Sequence, residues 1–75
     1  MIMSEYIEFE VIDKKPRTLV YSVINIKSEM SLGTIQWHGA WRQYCFFPIP
    51  YTIFNIECME HIIKFIQKLM EERKH

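Results

Sequence analysis

The chain has 75 residues, 49% hydrophobic and 15% aromatic, with nine basic residues balanced by nine acidic ones. That length sets one domain, residues 1–75, with a small core and a thin stability margin, and zero formal charge argues against gripping a nucleic-acid backbone by bulk electrostatics. Two cysteines are too few for a secreted disulfide scaffold, the acidic start MIMSEYIEFEV does not read as a signal peptide, and no run approaches the roughly 20 apolar residues of a membrane span, so a soluble cytoplasmic protein is expected.

Residues 6–12 alternate: Ile7, Phe9 and Val11 share one side, Tyr6, Glu8 and Glu10 the other, as in a half-buried strand. Asp13-Lys14-Lys15-Pro16 breaks that pattern with turn chemistry. Residues 17–26 predict a second strand that is apolar on both faces, with Leu19, Tyr21 and Val23 alternating with Val20, Ile24 and Ile26, which suits a central strand covered on both sides. Lys27 to Ser31 is a polar connection.

Residues 32–38 and 41–47 read as a hairpin across Gly39. With a two- or four-residue loop, Ile35 and Trp37 share a side with Arg42, Tyr44 and Phe46, while Gln36 and His38 share the other with Trp41, Gln43, Cys45 and Phe47. A three-residue loop would exchange these partners. Pro48-Ile49-Pro50 ends the fourth strand, since proline cannot donate to a ladder, and Tyr51 to Phe54 reads as a short extended piece.

The last element is a helix. Asn55 is a good N-cap, Glu57 lies in the first turn, and Phe54 with Met59 has hydrophobic-staple spacing. Cys58, Met59, Ile62, Ile63, Phe65, Ile66, Leu69 and Met70 form one broad apolar stripe, opposite Glu60, His61, Lys64, Gln67, Lys68 and Glu71. A stripe so broad is expected to cover the sheet. Arg73-Lys74-His75 is basic, as suits a helix C-terminus. The expected fold is α+β: an antiparallel four-stranded sheet with one C-terminal helix packed on one face (β-β-β-β-α).

The stretch Trp37-His38-Gly39-Ala40-Trp41-Arg42-Gln43-Tyr44-Cys45-Phe46-Phe47-Pro48 resembles a family of small, uncharacterised proteins of prokaryotes and their viruses that carry W-x-G-x-W-R-Q-Y-x-F-F-P. In those, a segment like Ile53-Phe54-Asn55 precedes a helix whose Cys-Met/Leu-x-x-Ile-x-x-Phe-Ile pattern is met here by Cys58, Met59, Ile62, Phe65 and Ile66. The resemblance spans about residues 32–73 and implies that hairpin and helix form one unit. It implies no catalytic residue and no ligand.

The hairpin also supplies the candidate site: Trp37, His38, Trp41, Arg42 and Tyr44 combine flat π-surfaces with directional donors. Planar rings stack on Trp and Tyr, and Arg pairs with phosphate in a bidentate fork. The competing reading is a packed sheet in which Trp37 is core and Arg42 merely lies over its ring as a cation–π pair. His38, Cys45, Cys58 and His61 contain the ligand types zinc takes, but neither CxxC nor HxxxH occurs, so no metal and no cofactor are expected. Cys45 with His38 is the one short-range nucleophile–base pairing, and no third member accompanies it. With only Gly33 and Gly39 there is no glycine-rich phosphate loop.

The expected function is therefore non-catalytic binding of a small anionic, nucleotide-like molecule by the hairpin. The alternative is a protein-interaction module, adaptor or inhibitor, that uses an exposed aromatic sheet face, with nucleic-acid binding behind both. An apolar content above what one helix can cover makes a homodimer the expected state, the uncovered sheet face with its leftover aromatics pairing with a second copy.

Overall fold

The computed structural model describes residues 6–73. Its elements are β1 (Ile7–Lys14), β2 (Leu19–Asn25), β3 (Ser31–His38), β4 (Gln43–Pro48) and α1 (Ile56–Arg73). The strands form one antiparallel sheet in the order β1-β2-β3-β4, each paired with its neighbour in sequence. The α+β architecture expected from the pattern is therefore the one observed. Several boundaries differ: β2 is shorter than the expected residues 17–26, and β4 starts at Gln43 rather than at the expected residue 41. β1 runs on to Lys14 because a bulge between Val11 and Asp13 absorbs one residue, and the turn closes later, where the Lys15 amide donates to the Thr18 carbonyl (2.8 Å). Residues 51–54 form no strand.

Pairing of Val23 with Gly33, Phe9 with Val23 and Ile35 with Phe46 places these residues on one face of the sheet. The core lies on this face, where Ile7, Val23, Ile35 and Tyr44 pack with Cys58, Ile62 and Leu69 of α1. Phe65 stacks on Phe9 of β1 (4.0 Å between ring centroids) and meets Tyr21 of β2 edge-on. At the other edge Tyr44 of β4 donates its amide to Met70 Sδ (3.4 Å). The helix thus turns one flank toward β1 and the other toward β4, and it starts where expected. Asn55 Oδ1 accepts from the Cys58 amide at 2.8 Å, a cap typically worth about 1 kcal/mol.

The apolar stripe of α1 is wider than the sheet it covers. Cys58, Ile62 and Leu69 are buried and Phe65, Ile66 and Met70 half-buried, but Met59 and Ile63 remain exposed. This corrects the expectation of a stripe spent wholly on the core. The sheet's second face carries Glu8, Glu10, Ser22, Thr34 and Gln36 together with Val20, Ile24, Cys45 and Phe47, so it is mixed in polarity. Ser22 and Ser31 share a hydroxyl hydrogen bond there (2.9 Å) and Gln36 donates to Thr34 (3.1 Å). Among the described residues no helix is long and apolar enough to cross a membrane.

Candidate functional site

The hairpin residues are sorted by strand parity. Trp37 pairs with Tyr44 and His38 with Gln43, leaving residues 39–42 as a four-residue loop. Trp37 and Tyr44 accordingly share the helix-covered face, edge to face at 5.5 Å. His38 lies on the opposite face, where it meets Trp41 (5.0 Å) and Phe47 (6.0 Å) edge-on. Arg42 belongs to neither group. It sits in the loop with φ of 55°, its amide donating to the His38 carbonyl (2.9 Å), and is exposed. A strand starting at residue 41 would have set Arg42 beside Trp37; the left-handed turn residue required to close a four-residue loop removes it. The five hairpin residues therefore do not form one cluster.

The cation over Trp37 is Arg73, from the last turn of α1, with Cζ 4.1 Å from the ring centroid. This corrects the expectation that Arg42 lies there. Arg73 also donates to the Arg17 carbonyl (3.4 Å), tying the helix end to the β1–β2 turn. An odd number of strand reversals brings the β1–β2 turn, the β3–β4 loop and the end of α1 to the same end of the molecule. Between the turn and the helix end lies an open groove of about 380 Å³, with Tyr21 and Tyr44 among its walls. Lys14, Lys15, Arg17 and Arg73 supply four cations around it, against the single lining carboxylate of Glu72. Lys15 also pairs with Asp13 at 3.5 Å, an exposed contact of little energetic weight.

Burial, helped by the Tyr44 phenol and the Glu72 carboxylate, pushes the Tyr21 phenol above its ordinary 10.0. Tyr21 therefore stays protonated, a neutral hydroxyl in the groove wall beside Tyr44 and Glu72. Because folding raises this pKa, the stabilisation is complete below pH 10.0 and is lost as pH climbs through the folded-state value. Melting temperatures should hold level up to that pH and fall above it, and Tyr21→Phe should flatten the fall. Identical alkaline slopes for the two proteins would assign the loss to other groups.

Sequence reasoning passed over this groove. Lys14-Lys15-Pro16-Arg17 registers locally only as a turn, and Arg73 only as a helix-dipole partner. The available signal was topological: in a β-β-β-β-α order the first turn and the helix end meet. His38 and Cys45 lie on the sheet face away from the helix while Cys58 is buried in the core on the other, so these potential metal ligands are not brought together. No group of three or more His, Cys, Asp or Glu gathers among the described residues. The Cys45 thiol lies 3.8 Å from the carbonyl of Gln43 on its own strand.

Over 73 residues the chain is 36% identical to an uncharacterised 9.3 kDa protein of Acholeplasma phage L2, an alignment covering 95% of this chain and 92% of that one. No family model matches the chain, and no solved structure matches it.

Proposed function

Since the chain belongs to the family of that phage protein, we propose its function from its own site: non-catalytic binding of a small anionic ligand in the groove between the β1–β2 turn and the end of α1. The observation that carries this reading is the convergence of Lys14, Lys15, Arg17 and Arg73 on one groove in a chain of zero formal charge. Like charges repel, and gathering four of them against Glu72 and the Asp13 that pairs with Lys15 costs folding free energy. A bound anion offsets that cost. The groove's 380 Å³ lies at the lower end of the range for small-molecule sites, which suits a phosphate-bearing molecule of about mononucleotide size. Arg17 and Arg73 offer planar forks for phosphate oxygens, the lysines add mobile charge, and Tyr21 adds a neutral donor.

Tyr44 and Trp37 keep a part in this site, Tyr44 as a groove wall and Trp37 as the platform that fixes Arg73. Arg42, His38 and Trp41 do not. The test is a titration with inorganic pyrophosphate and with adenosine monophosphate, followed calorimetrically at low salt. Arg17→Ala and Arg73→Ala should each weaken binding roughly ten- to a hundred-fold, the effect of losing a charged hydrogen-bonding partner worth about 1.5–3 kcal/mol. Arg42→Ala should bind as the parent does. Loss of binding in Arg42→Ala with retention in Arg17→Ala would return the site to the hairpin loop, and no binding by the parent would sink the reading. A protein-interaction role is the second reading, favoured by the apolar residues left exposed along α1 and the segment before it.

A further inference from the structure

Six of the exposed large apolar residues form one continuous run, apart from Val11, Ile12, Ile26, Met30, Trp41 and Phe47 elsewhere on the surface. Ile49, Tyr51, Ile53, Ile56, Met59 and Ile63 follow one another from the end of β4 into α1. Tyr51 and Ile53 are almost wholly exposed (103% and 90%), Ile56 is 71% exposed, and the others between 43% and 53%. Tyr51 is moreover held at φ of 66°, a left-handed conformation uncommon for a tyrosine, with the Thr52 hydroxyl closing the turn onto the Ile49 carbonyl (2.8 Å). A single chain gains nothing by presenting a tyrosine this way.

Within α1 the exposed positions extend the half-buried ones into a regular series. Ile56, Met59, Ile63, Ile66 and Met70 are spaced 3, 4, 3 and 4 residues apart, the seam by which one helix packs along another. Cys58, Ile62, Phe65 and Leu69 meet the sheet, and Ile66 and Met70 at the seam's far end also pack against the core while leaving part of their surface open. We propose that a second copy of this chain covers the seam, the two helices lying antiparallel about a two-fold axis near Ile63.

Three observations select this occupant. The first is area. At roughly 200 Å² for a fully exposed residue of this size, the six residues present on the order of 800 Å², about what each partner contributes to a standard stable interface. The second is the self-complementarity of a seam centred on Ile63, which a two-fold axis requires. The antiparallel sense opposes the helix dipoles and sets Glu57 of the first turn toward the C-terminal half of the partner helix, where Lys68 and Arg73 stand beside Glu71 and Glu72. It also lays the 49–53 turn of each copy over the end of the other's helix. The third is that edge-to-edge pairing through β4 is blunted. The outward amide of Tyr44 is taken by Met70, and Pro48, two alternations further on, has no amide to offer. Association at this edge therefore runs through side chains.

Sedimentation of the full chain at micromolar concentration tests the pairing. The expected species has twice the 9.2 kDa chain mass, and Ile63→Glu and Ile56→Lys should each raise the dimer dissociation constant at least a hundredfold while far-UV circular dichroism keeps the parent's shape. Both residues are exposed in the single chain, so neither change disturbs its core. Under mild oxidation Ile63→Cys should form a symmetric disulfide between copies, located by peptide mass, and Ile56→Cys should not. A parent that sediments as a monomer overturns the proposal, as does a dimer indifferent to both charged substitutions. Self-pairing of Ile56→Cys would overturn the antiparallel arrangement. None of these outcomes touches the groove cations, so the dimer and the anion site stand or fall separately.

Discussion

Ile62→Asp should leave the chain unfolded under conditions in which the parent is folded. Ile62 is 5% exposed and sits in the middle of α1, where it closes over Ile7, Val23 and Ile35. Around it the buried residues are apolar, and among the described residues no buried side-chain polar atom lacks a partner, so no donor stands free to receive a carboxylate. An unpaired buried carboxylate, or the shifted pKa that neutralises it, costs several kcal/mol. The total stability of a small domain is of the same order, about 5 kcal/mol. Ile62→Val, which removes one methylene, should cost only about 0.5–1.5 kcal/mol. Gln67→Asp, exposed on the same helix, should melt close to the parent. Far-UV circular dichroism with thermal melts separates these cases; a cooperative melt of Ile62→Asp near the parent's temperature would mean that α1 does not seal this core.

The next largest effect is expected at Gly33. This residue lies on β3 at φ of 155° beside a register shift in the β2–β3 pairing. A Cβ built there would stand 2.5 Å from the Phe47 carbonyl oxygen, 2.8 Å from Pro48 Cα and 2.8 Å from Phe46 Cε1. Two of these three neighbours are backbone atoms of β4, which cannot swing aside as the end of a side chain can. Gly33→Ala must therefore push β4 off β3 or rotate Gly33 out of its conformation, and β4 carries Tyr44 and Phe46 against the core. Backbone strain of about 1–3 kcal/mol adds to overpacking of similar size. The urea midpoint should fall by most of its parent value. Gly39 is the internal control: a Cβ there meets nothing within 4 Å, and Gly39→Ala should shift stability by about 0.5 kcal/mol or less. Equal midpoints for the two variants would show that the β3–β4 approach is looser than these distances require.

The two tests mark the border between what local chemistry and what assembly decides. Ile62 could be placed in the core from the chain alone, because a helix repeats every 3.6 residues and the centre of its apolar stripe must face the sheet. Gly33 could not, because the atoms that exclude a side chain come from residues 46–48, and nothing in a single Leu-Gly-Thr step records how near they pass.

The order β-β-β-β-α, the N-cap at Asn55 and the opposition of Trp37 to His38 all follow from short-range rules. Alternation has period two, a side-chain amide reaches three residues ahead, and hairpin parity depends only on loop length. Arg42 failed that rule because one left-handed residue in the loop, invisible to alternation, takes it off the strand. The width of the apolar stripe was legible too, yet not that Met59 and Ile63 would be left outside, since that depends on where the helix axis settles across the four strands. The groove depends on the same choice. Arg73 reaches Trp37 and Arg17 across 36 and 56 residues of chain, and those contacts exist only once the helix has docked at one angle on the sheet. Composition and periodicity determined the elements and their order. Burial of the widest apolar faces against one another decided which distant charges would meet, because that burial dominates the folding free energy and carries the charges to wherever the packed backbone ends.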